Sequence, residues 1–135
     1  MKTKEELLEY FKGDLFAMNM GAMIDSVSET GAVCSLSLND GHRNARGAVM
    51  GGAIFTLADF AFAGGANSYG KRATAMSASI TYMRPGTGKK LIAEAKEVSC
   101  GKKTCLFDVT VCNDEGKKIA KLLINGFLFE GEKLV

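Results

Sequence analysis

The stretch from residue 51 to residue 66, GGAIFTLADFAFAGGA, restricts the fold more than any other part of the sequence. Its apolar residues recur at the spacing of an α-helix, and Phe55 and Phe60 add apolar surface on other sides of that helix. A helix that is apolar nearly all round must be wrapped by other structure. The rest of the chain is therefore expected to fold around this helix, which carries a single ionisable residue, Asp59.

The environment of Asp59 decides what this residue does. An unpaired carboxylate in apolar surroundings is so poorly solvated that proteins neutralise it, pair it or use it in chemistry. Poor solvation also raises the pKa of a carboxyl group, which suits Asp59 to act as a general base or a nucleophile. We therefore predict that Asp59 is catalytic. The alternative is a structural carboxylate that is hydrogen-bonded to a serine or threonine in the core.

The segments around the long helix predict one short helix and six strands. Residues 3–13, TKEELLEYFKG, predict an amphipathic helix with Thr3 as N-cap and Glu6 as its capping-box partner. Residues 20–38 alternate between apolar and polar and predict two strands with a turn at 29–31. Four further strands in a meander are predicted at 73–85, 90–101, 103–116 and 117–131. This order indicates an α+β fold in which an antiparallel sheet curls around the long helix.

Composition and charge exclude several classes of protein. With 135 residues, 47% of them hydrophobic, and one proline, the chain is expected to form one ordered domain over residues 1–135. A net charge of +2 without a basic block argues against nucleic acid as a partner. Four cysteines without a CxxC pair, and a single histidine, argue against a zinc site and are typical of reduced cytoplasmic thiols. No apolar run is long enough to cross a bilayer and no signal sequence is evident, so we predict a cytoplasmic protein without metal, cofactor or membrane partner.

The loop and helix at residues 42–67, HRNARGAVMGGAIFTLADFAFAGGAN, together with ITYMRP at 80–85, resemble the hot-dog fold thioesterases of the PaaI-like (phenylacetic acid pathway) type. The resemblance covers roughly residues 15–130. The family pattern is an Asn, a Gly three residues on, then His-Gly-Gly, then Leu-x-Asp on the helix. It is matched here by Asn44, Gly47, Gly51, Gly52, Leu57 and Asp59. The departure is Met50, which stands where the family usually has histidine.

The resemblance implies hydrolysis of an acyl-coenzyme A thioester by a homodimer, often paired into a tetramer. In that scheme Asp59 is the general base or nucleophile, and a backbone N–H at the start of the helix polarises the thioester carbonyl. The residues support the second role, because Gly51 and Gly52 leave the free N–H groups and the positive end of the helix dipole open to a ligand, as in an oxyanion hole. Plain turn glycines are the alternative. Asn44 is a candidate to orient the thioester or the attacking water through its side-chain amide.

The spacing of Gly51 and Asp59 predicts a site shared between two subunits. Asp59 lies 59 − 51 = 8 residues beyond Gly51, which is roughly 12 Å along a helix. An oxyanion donor and a nucleophile that serve one carbonyl must both come within about 3 Å of the reacting atoms. Two antiparallel copies of the helix across a two-fold axis would meet this requirement, so we predict an obligate homodimer with two equivalent sites.

Further substrate-binding candidates lie around this centre. Met50 is most simply a packing residue, because its side chain cannot donate the hydrogen bond that a histidine would. Thr74 or Ser77, on the first strand after the helix, is a candidate to hold the attacking water, although half-buried strand positions explain both residues equally well. Cations at strand ends and turns, which are usually only solvated, are candidates for the phosphates of coenzyme A: Arg84, Lys89, Lys90, Lys102 and Lys103.

Several alternatives stay open at this point. His42 precedes Asn44 in the loop and is expected to have a surface or loop-tethering role, with contact to the substrate as the less favoured alternative. Gly64 and Gly65 leave room for an aryl or medium-chain acyl group, or only allow close contact between the helix and a strand. Met50 is compatible with a non-catalytic acyl-coenzyme A-binding protein, and the missing histidine argues against a hot-dog hydratase or dehydratase. The expected pocket walls are drawn from two subunits and consist of Phe55, Phe60, Phe62 and Met83.

Overall fold

The computed structural model describes residues 2–68 and 72–129. Two short helices come first, followed by a hairpin, a long helix and four more strands. The elements are α1 (Lys4–Phe11), α2 (Leu15–Met20), β1 (Met23–Ser28), β2 (Gly31–Ser37), a 3₁₀ turn (Asp40–His42), α3 (Gly51–Asn67), β3 (Arg72–Tyr82), β4 (Lys90–Cys100), β5 (Thr104–Asn113) and β6 (Lys118–Phe129).

The six strands form one antiparallel sheet in the order β1-β2-β4-β5-β6-β3, and α3 packs against it. Along β5 every second residue is buried, including Phe107, Val109 and Val111, and this apolar face belongs to the same core as α3. Period-two burial on the strands and nearly all-round burial on α3 give the sheet-around-helix arrangement that the hydrophobic pattern predicted.

The predicted meander is correct for β4, β5 and β6 and wrong for β3. Strand β3 pairs with β6, from Arg72 opposite Phe129 to Tyr82 opposite Ala120, and forms the far edge of the sheet. The reason is that β3 runs back beside α3. At one end the backbone N–H of Ala73 donates to Asn67 Oδ1 over 3.1 Å, and at the other Tyr82 Oη donates to the carbonyl of Gly51 over 3.0 Å. The last strand of the meander, β6, then pairs with β3.

The N-terminal segment contains one predicted helix and one that the sequence pattern did not indicate. Helix α1 has the predicted capping box: Thr3 N–H donates to Glu6 Oε2 over 2.8 Å, and Glu6 N–H donates to Thr3 Oγ1 over 3.2 Å. Helix α2 was missed because it has only six residues, LFAMNM, which are apolar on nearly every side and so show no alternation of apolar and polar faces. The predicted turn at 29–31 is confirmed by the β1–β2 hairpin, and the end of the last predicted strand, residues 130 and 131, lies outside the described residues.

Two of the predicted pocket walls are core residues instead. The Phe60 ring is buried against Phe11 at a centroid distance of 5.4 Å, and the Phe62 ring is buried against Phe107 at 5.5 Å. A large aromatic side chain on this helix is stabilised most by full burial against another ring. Both phenylalanines therefore stabilise the fold by packing in the core.

The glycines near the end of α3 allow close packing. A Cβ atom at Gly65 would lie 2.9 Å from the Phe107 ring and 3.3 Å from the Gly31 Cα, and one at Gly64 would lie 3.3 Å from the Ala32 Cβ. Of the two explanations for this glycine pair, the structure favours close contact between helix and sheet.

Candidate active site

One stripe of α3 stays partly exposed while the rest of the helix beyond Gly51 is buried. The stripe consists of Gly52, Phe55, Thr56, Asp59 and Ala63, which follow one another at helical spacing. It lies on the side of α3 that the chain's own sheet does not cover. Asp59 is therefore carried by a buried helix, yet its side chain is only half-buried within the single chain.

The Asp59 carboxylate lies in a poorly solvated and negatively charged environment. Burial, and secondarily the negative charge of Asp14, raise the pKa of Asp59 above the ordinary aspartate value. Asp14 is held in place as the N-cap of α2, where its Oδ1 accepts from the Ala17 N–H over 3.5 Å. Within residues 2–68 and 72–129 Asp59 makes no hydrogen bond or ion pair, so the hydrogen-bonded structural role is not supported. A carboxylate that burial makes more basic, with free lone pairs, can accept a proton or attack a carbonyl.

The start of α3 presents backbone donors without a side-chain cap. Met50 is the N-cap, its side chain makes no capping hydrogen bond, and it is 53% exposed. The Met50 carbonyl accepts the N–H groups of Ala53 and Ile54 over 2.9 and 3.3 Å, whereas Gly51 and Gly52 have no N–H acceptor among the described residues. A Cβ atom at Gly52 would come no closer than 3.9 Å to a neighbour, the Met50 Cγ. Open space in front of free N–H groups at a helix N-terminus is the geometry of an oxyanion site.

The loop before α3 is held by Asn44 and His42. Asn44 Oδ1 accepts from the N–H groups of Arg46 and Ala48 over 3.0 and 3.2 Å, so the amide oxygen is used within the loop. Only its NH₂ group is left for a substrate or water, as a donor. His42 is buried: its Nδ1 accepts from the Asn39 N–H over 3.1 Å and its Nε2 lies 2.7 Å from the Met20 carbonyl. The loop-tethering role of His42 is thus confirmed, and the surface role is not.

A cleft of about 830 Å³ opens beside the start of α3. Its wall is mostly apolar and is formed by α2, the loop, the first turns of α3 and the end of β3. The lining includes Phe16, Met50, Gly52, Phe55, Thr56 and Tyr82. The predicted wall residue Phe55 is present, and the structure adds Phe16 and Tyr82, which the sequence pattern did not indicate. Asp59 does not line this cleft, so the single chain does not bring the carboxylate and the cleft together.

The remaining candidates are spread over the molecule. Thr74 and Ser77 are exposed on edge strand β3, and Arg84 is exposed just after it. The strand registers place Lys89 at the same end of the sheet as Tyr82 and the start of α3. Lys102 follows the other end of β4, roughly 33 Å away at the usual rise of a strand, so one chain does not gather these cations around one ligand.

Two other kinds of site are absent from the part of the chain that the structure describes. No group of three or more His, Cys, Asp or Glu side chains is arranged to hold a metal ion in the described part of the chain. No helix among the described residues is both long and apolar enough to span a membrane.

Comparison with known proteins identifies the family. Residues 46–120, more than half of the chain, match the sequence profile of the Thioesterase superfamily. This chain belongs to the thioesterase superfamily. It is 42% identical over 118 residues to a protein of Archaeoglobus fulgidus with a provisional esterase name, covering 86% of this chain and 77% of that protein. It is 34% identical over 111 residues to the acyl-coenzyme A thioesterase PaaI of Escherichia coli, covering 82% of this chain and 79% of PaaI.

Solved structures of the thioesterase superfamily have the same fold. The structure of Escherichia coli PaaI, from the phenylacetic acid degradation operon, matches with a TM-score of 0.90 at 29% identity and covers 97% of this chain and 95% of that one. A thioesterase-like protein of Streptococcus pneumoniae, solved with coenzyme A, matches with a TM-score of 0.81 at 25% identity, covering 88% and 96%. The predicted hot-dog fold, the PaaI-like resemblance and the assignment as a thioesterase are confirmed.

Proposed function

We propose that this protein hydrolyses acyl-coenzyme A thioesters with Asp59 as general base or nucleophile. The observation that carries the proposal is Asp59 itself: a carboxylate with a raised pKa and no partner among the described residues, on the exposed stripe of α3. The relatives support acyl-coenzyme A as the substrate class, because PaaI is named as an acyl-coenzyme A thioesterase and the Streptococcus protein was solved with coenzyme A.

In the proposed reaction one end of the site stabilises negative charge on the carbonyl oxygen, and the other end removes a proton from water. The thioester carbonyl accepts a hydrogen bond from the Gly51 N–H, where the helix dipole favours the negative charge that develops on the oxygen. Asp59 removes a proton from water as the water oxygen bonds to the carbonyl carbon. Collapse of the tetrahedral intermediate breaks the C–S bond, and the proton held by Asp59 passes to the departing thiolate. In the nucleophilic variant the Asp59 carboxylate attacks the carbonyl carbon first, and the C–S bond breaks to release the coenzyme A thiolate, which takes a proton from solvent. Water then hydrolyses the mixed anhydride, which releases the carboxylic acid and restores Asp59.

We further propose that each site is shared between two copies of the chain. Gly51 and Asp59 are separated by roughly 12 Å of helix rise, which one carbonyl cannot bridge. Two surfaces support a homodimer: the exposed stripe of α3, and strand β3, an edge strand of 11 residues that is exposed along nearly its whole length. A long exposed edge strand is readily paired with another chain. Pairing of two such dimers would give a tetramer.

Mixed dimers test the shared site. Asp59→Asn removes the base, and Asn44→Asp removes the NH₂ donor of the loop while keeping the oxygen that accepts from Arg46 and Ala48. Each variant alone is expected to be nearly inactive, whereas co-expressed chains should regain one intact site per mixed dimer. If mixed dimers form and recover nothing, the residues of one site come from one chain.

The cleft supports a small, medium-chain or aryl acyl group. Its volume of about 830 Å³ is in the usual range for small-molecule sites, and Phe16, Met50 and Phe55 give it apolar walls.

The experiment measures free-thiol release from short, medium, long and aryl acyl-coenzyme A thioesters. It compares wild type with Asp59→Asn and with a control, Asp25→Asn, which removes an exposed carboxylate on β1. Turnover by wild type and the control but not by Asp59→Asn supports the proposal.

Met50 favours a second candidate, an acyl-coenzyme A-binding protein without turnover. Its half-exposed side chain lines the cleft and cannot donate a hydrogen bond to a carbonyl. Tight binding of a panel member without thiol release would favour this candidate over hydrolysis.

We also propose that residues 1–135 act as one domain in the cytoplasm. The four cysteines, Cys34, Cys100, Cys105 and Cys112, are free thiols, which is the usual state in a reducing compartment.

A further inference from the structure

Tyr82, the last residue of β3, contacts the first residue of α3. Its Oη donates a hydrogen bond to the Gly51 carbonyl over 3.0 Å, across 31 residues of sequence. Its ring also lies against the glycine, because a Cβ atom at Gly51 would be only 3.2 Å from both the Tyr82 Cζ and Oη. The tyrosine is 49% exposed and lines the same cleft as Met50 and Gly52.

The start of α3 needs such a contact because its own sequence does not hold it rigidly. Gly51 and Gly52 are consecutive, and glycine loses more conformational freedom on folding than any other residue. The N-cap, Met50, adds no side-chain hydrogen bond. An oxyanion donor accelerates a reaction only if it is already oriented before charge develops, so freedom at this point would lower the rate.

Thr56 makes a related but different contact. Its Oγ1 donates to the Gly52 carbonyl over 2.8 Å, but this bond lies within α3 and moves with the helix. Among the described residues, Tyr82 is the one side chain from another element that hydrogen-bonds to the first turn of α3. It therefore connects the glycine pair to the sheet.

We propose that Tyr82 is a positioning residue for thioester hydrolysis, which holds Gly51 so that its N–H points at the substrate carbonyl. The hydroxyl fixes the Gly51 carbonyl and with it the peptide plane that carries the Gly52 N–H, and the ring lies against the Gly51 Cα, which is bonded directly to the Gly51 nitrogen. The Met50 side chain offers no hydrogen-bond donor, so polarisation of the substrate carbonyl depends on the backbone N–H of Gly51 and on its orientation. This inference rests on the proposed function for its kinetic consequence, but its structural consequence is independent of turnover.

The kinetic test compares wild type with Tyr82→Phe, which keeps the ring and removes the hydroxyl. Losing one orienting hydrogen bond should lower kcat by about three- to tenfold, while KM changes less than about twofold, because the N–H contact strengthens in the transition state. Tyr10→Phe is the matched control, since Tyr10 packs on Phe11 in α1 away from the cleft, and it should keep wild-type kcat. An unchanged kcat in Tyr82→Phe, or a change confined to KM, overturns the proposal.

A second measurement does not need activity. In protein labelled with ¹⁵N-glycine, the amide order parameters of Gly51 and Gly52 should fall in Tyr82→Phe towards values of flexible backbone, below about 0.6, and stay near about 0.85 in Tyr10→Phe. The order parameter of Gly65 at the other end of α3 should not change. Equal order parameters in Tyr82→Phe and wild type overturn the positioning role. If the order parameters fall while wild type hydrolyses no thioester, the proposed function fails and the positioning of Gly51 stands.

Discussion

The two ends of α3 each carry a pair of adjacent glycines, and the two pairs serve opposite purposes. At the start, Gly52 is exposed and a side chain there would enter open space. Near the end, Gly64 and Gly65 are buried, and a side chain at Gly65 would overlap the Phe107 ring. The first pair keeps backbone N–H groups accessible, and the second lets the helix approach the sheet. The same dipeptide thus lies at the proposed oxyanion site at one end of the helix and allows close packing at the other, and its neighbours make the difference.

Asp59 lies between the two ends and should produce the largest effect when changed. Asp59→Asn is expected to lower kcat/KM by about 10²- to 10⁴-fold, because a general base is lost while the shape of the side chain is kept. Parallel kinetics with Asp25→Asn provide the control. If Asp59→Asn keeps most of the activity, Asp59 is a structural residue and not a catalytic one.

The same variant should be more stable than wild type at neutral pH. The pKa of Asp59 is raised in the folded state by burial and by Asp14, so the folded protein binds this proton more tightly than the unfolded chain does. The contribution of Asp59 to stability is therefore full below its unfolded pKa and is lost as the pH rises through its folded pKa. Thermal unfolding should show a higher Tm for Asp59→Asn at pH 7 and no gain at a pH below the ordinary aspartate pKa.

Gly65→Ala tests the packing end. The added methyl group must displace the Phe107 ring or the Gly31 backbone, which costs about 1–3 kcal/mol, and alanine returns about 1 kcal/mol of helix propensity. We expect a net loss of up to about 2 kcal/mol in the free energy of unfolding, with kcat unchanged well below the Tm. A variant as stable as wild type would show that α3 can move away from the sheet.

Gly52→Ala tests the open end and should give the reverse result. The methyl group meets only the Met50 Cγ at 3.9 Å, and alanine has the higher helix propensity, so the free energy of unfolding should stay at the wild-type value or rise by up to about 1 kcal/mol. It projects into the cleft beside the proposed oxyanion donors, and kcat/KM should fall by about tenfold. Unfolding curves and kinetics measured on Gly52→Ala and Gly65→Ala together give a direct contrast; equal activity in both variants contradicts the functional role of the first pair.

Asp14→Asn is expected to have the smallest effect. Asparagine caps α2 as well as aspartate does, so the fold should be kept, but one of the two causes of the raised Asp59 pKa disappears. In wild type, kcat/KM should fall as the pH is lowered through the raised pKa of Asp59. The acidic limb of that profile should move to lower pH in Asp14→Asn. An unmoved limb would mean that burial alone sets the pKa of Asp59.

Local patterns in the sequence predicted a large part of this fold. The capping box of α1, the β1–β2 turn and all six strands follow from residue spacing and turn residues close together in the chain. Helix α2 was missed because its six residues are too few, and too uniformly apolar, to show a helical pattern. The position of β3 was missed because its partner strand, β6, lies about 40 residues further along the chain. The residues close to β3 in sequence do not indicate which edge of the sheet the strand joins.

The sequence by itself determined which chemistry is available: one carboxylate in an apolar helix, two glycines before it, and a methionine where the family usually has histidine. Only the tertiary structure decided which side chains lie where they can take part in the proposed reaction. It buried Phe60 and Phe62, engaged the Asn44 oxygen in the loop, and brought Tyr82 to Gly51. The physical reason is that residue type and spacing predict structure only among residues close together in the chain. Contact between Tyr82 and Gly51 requires β3 to run back along α3. That path is set by packing of the whole sheet against the helix.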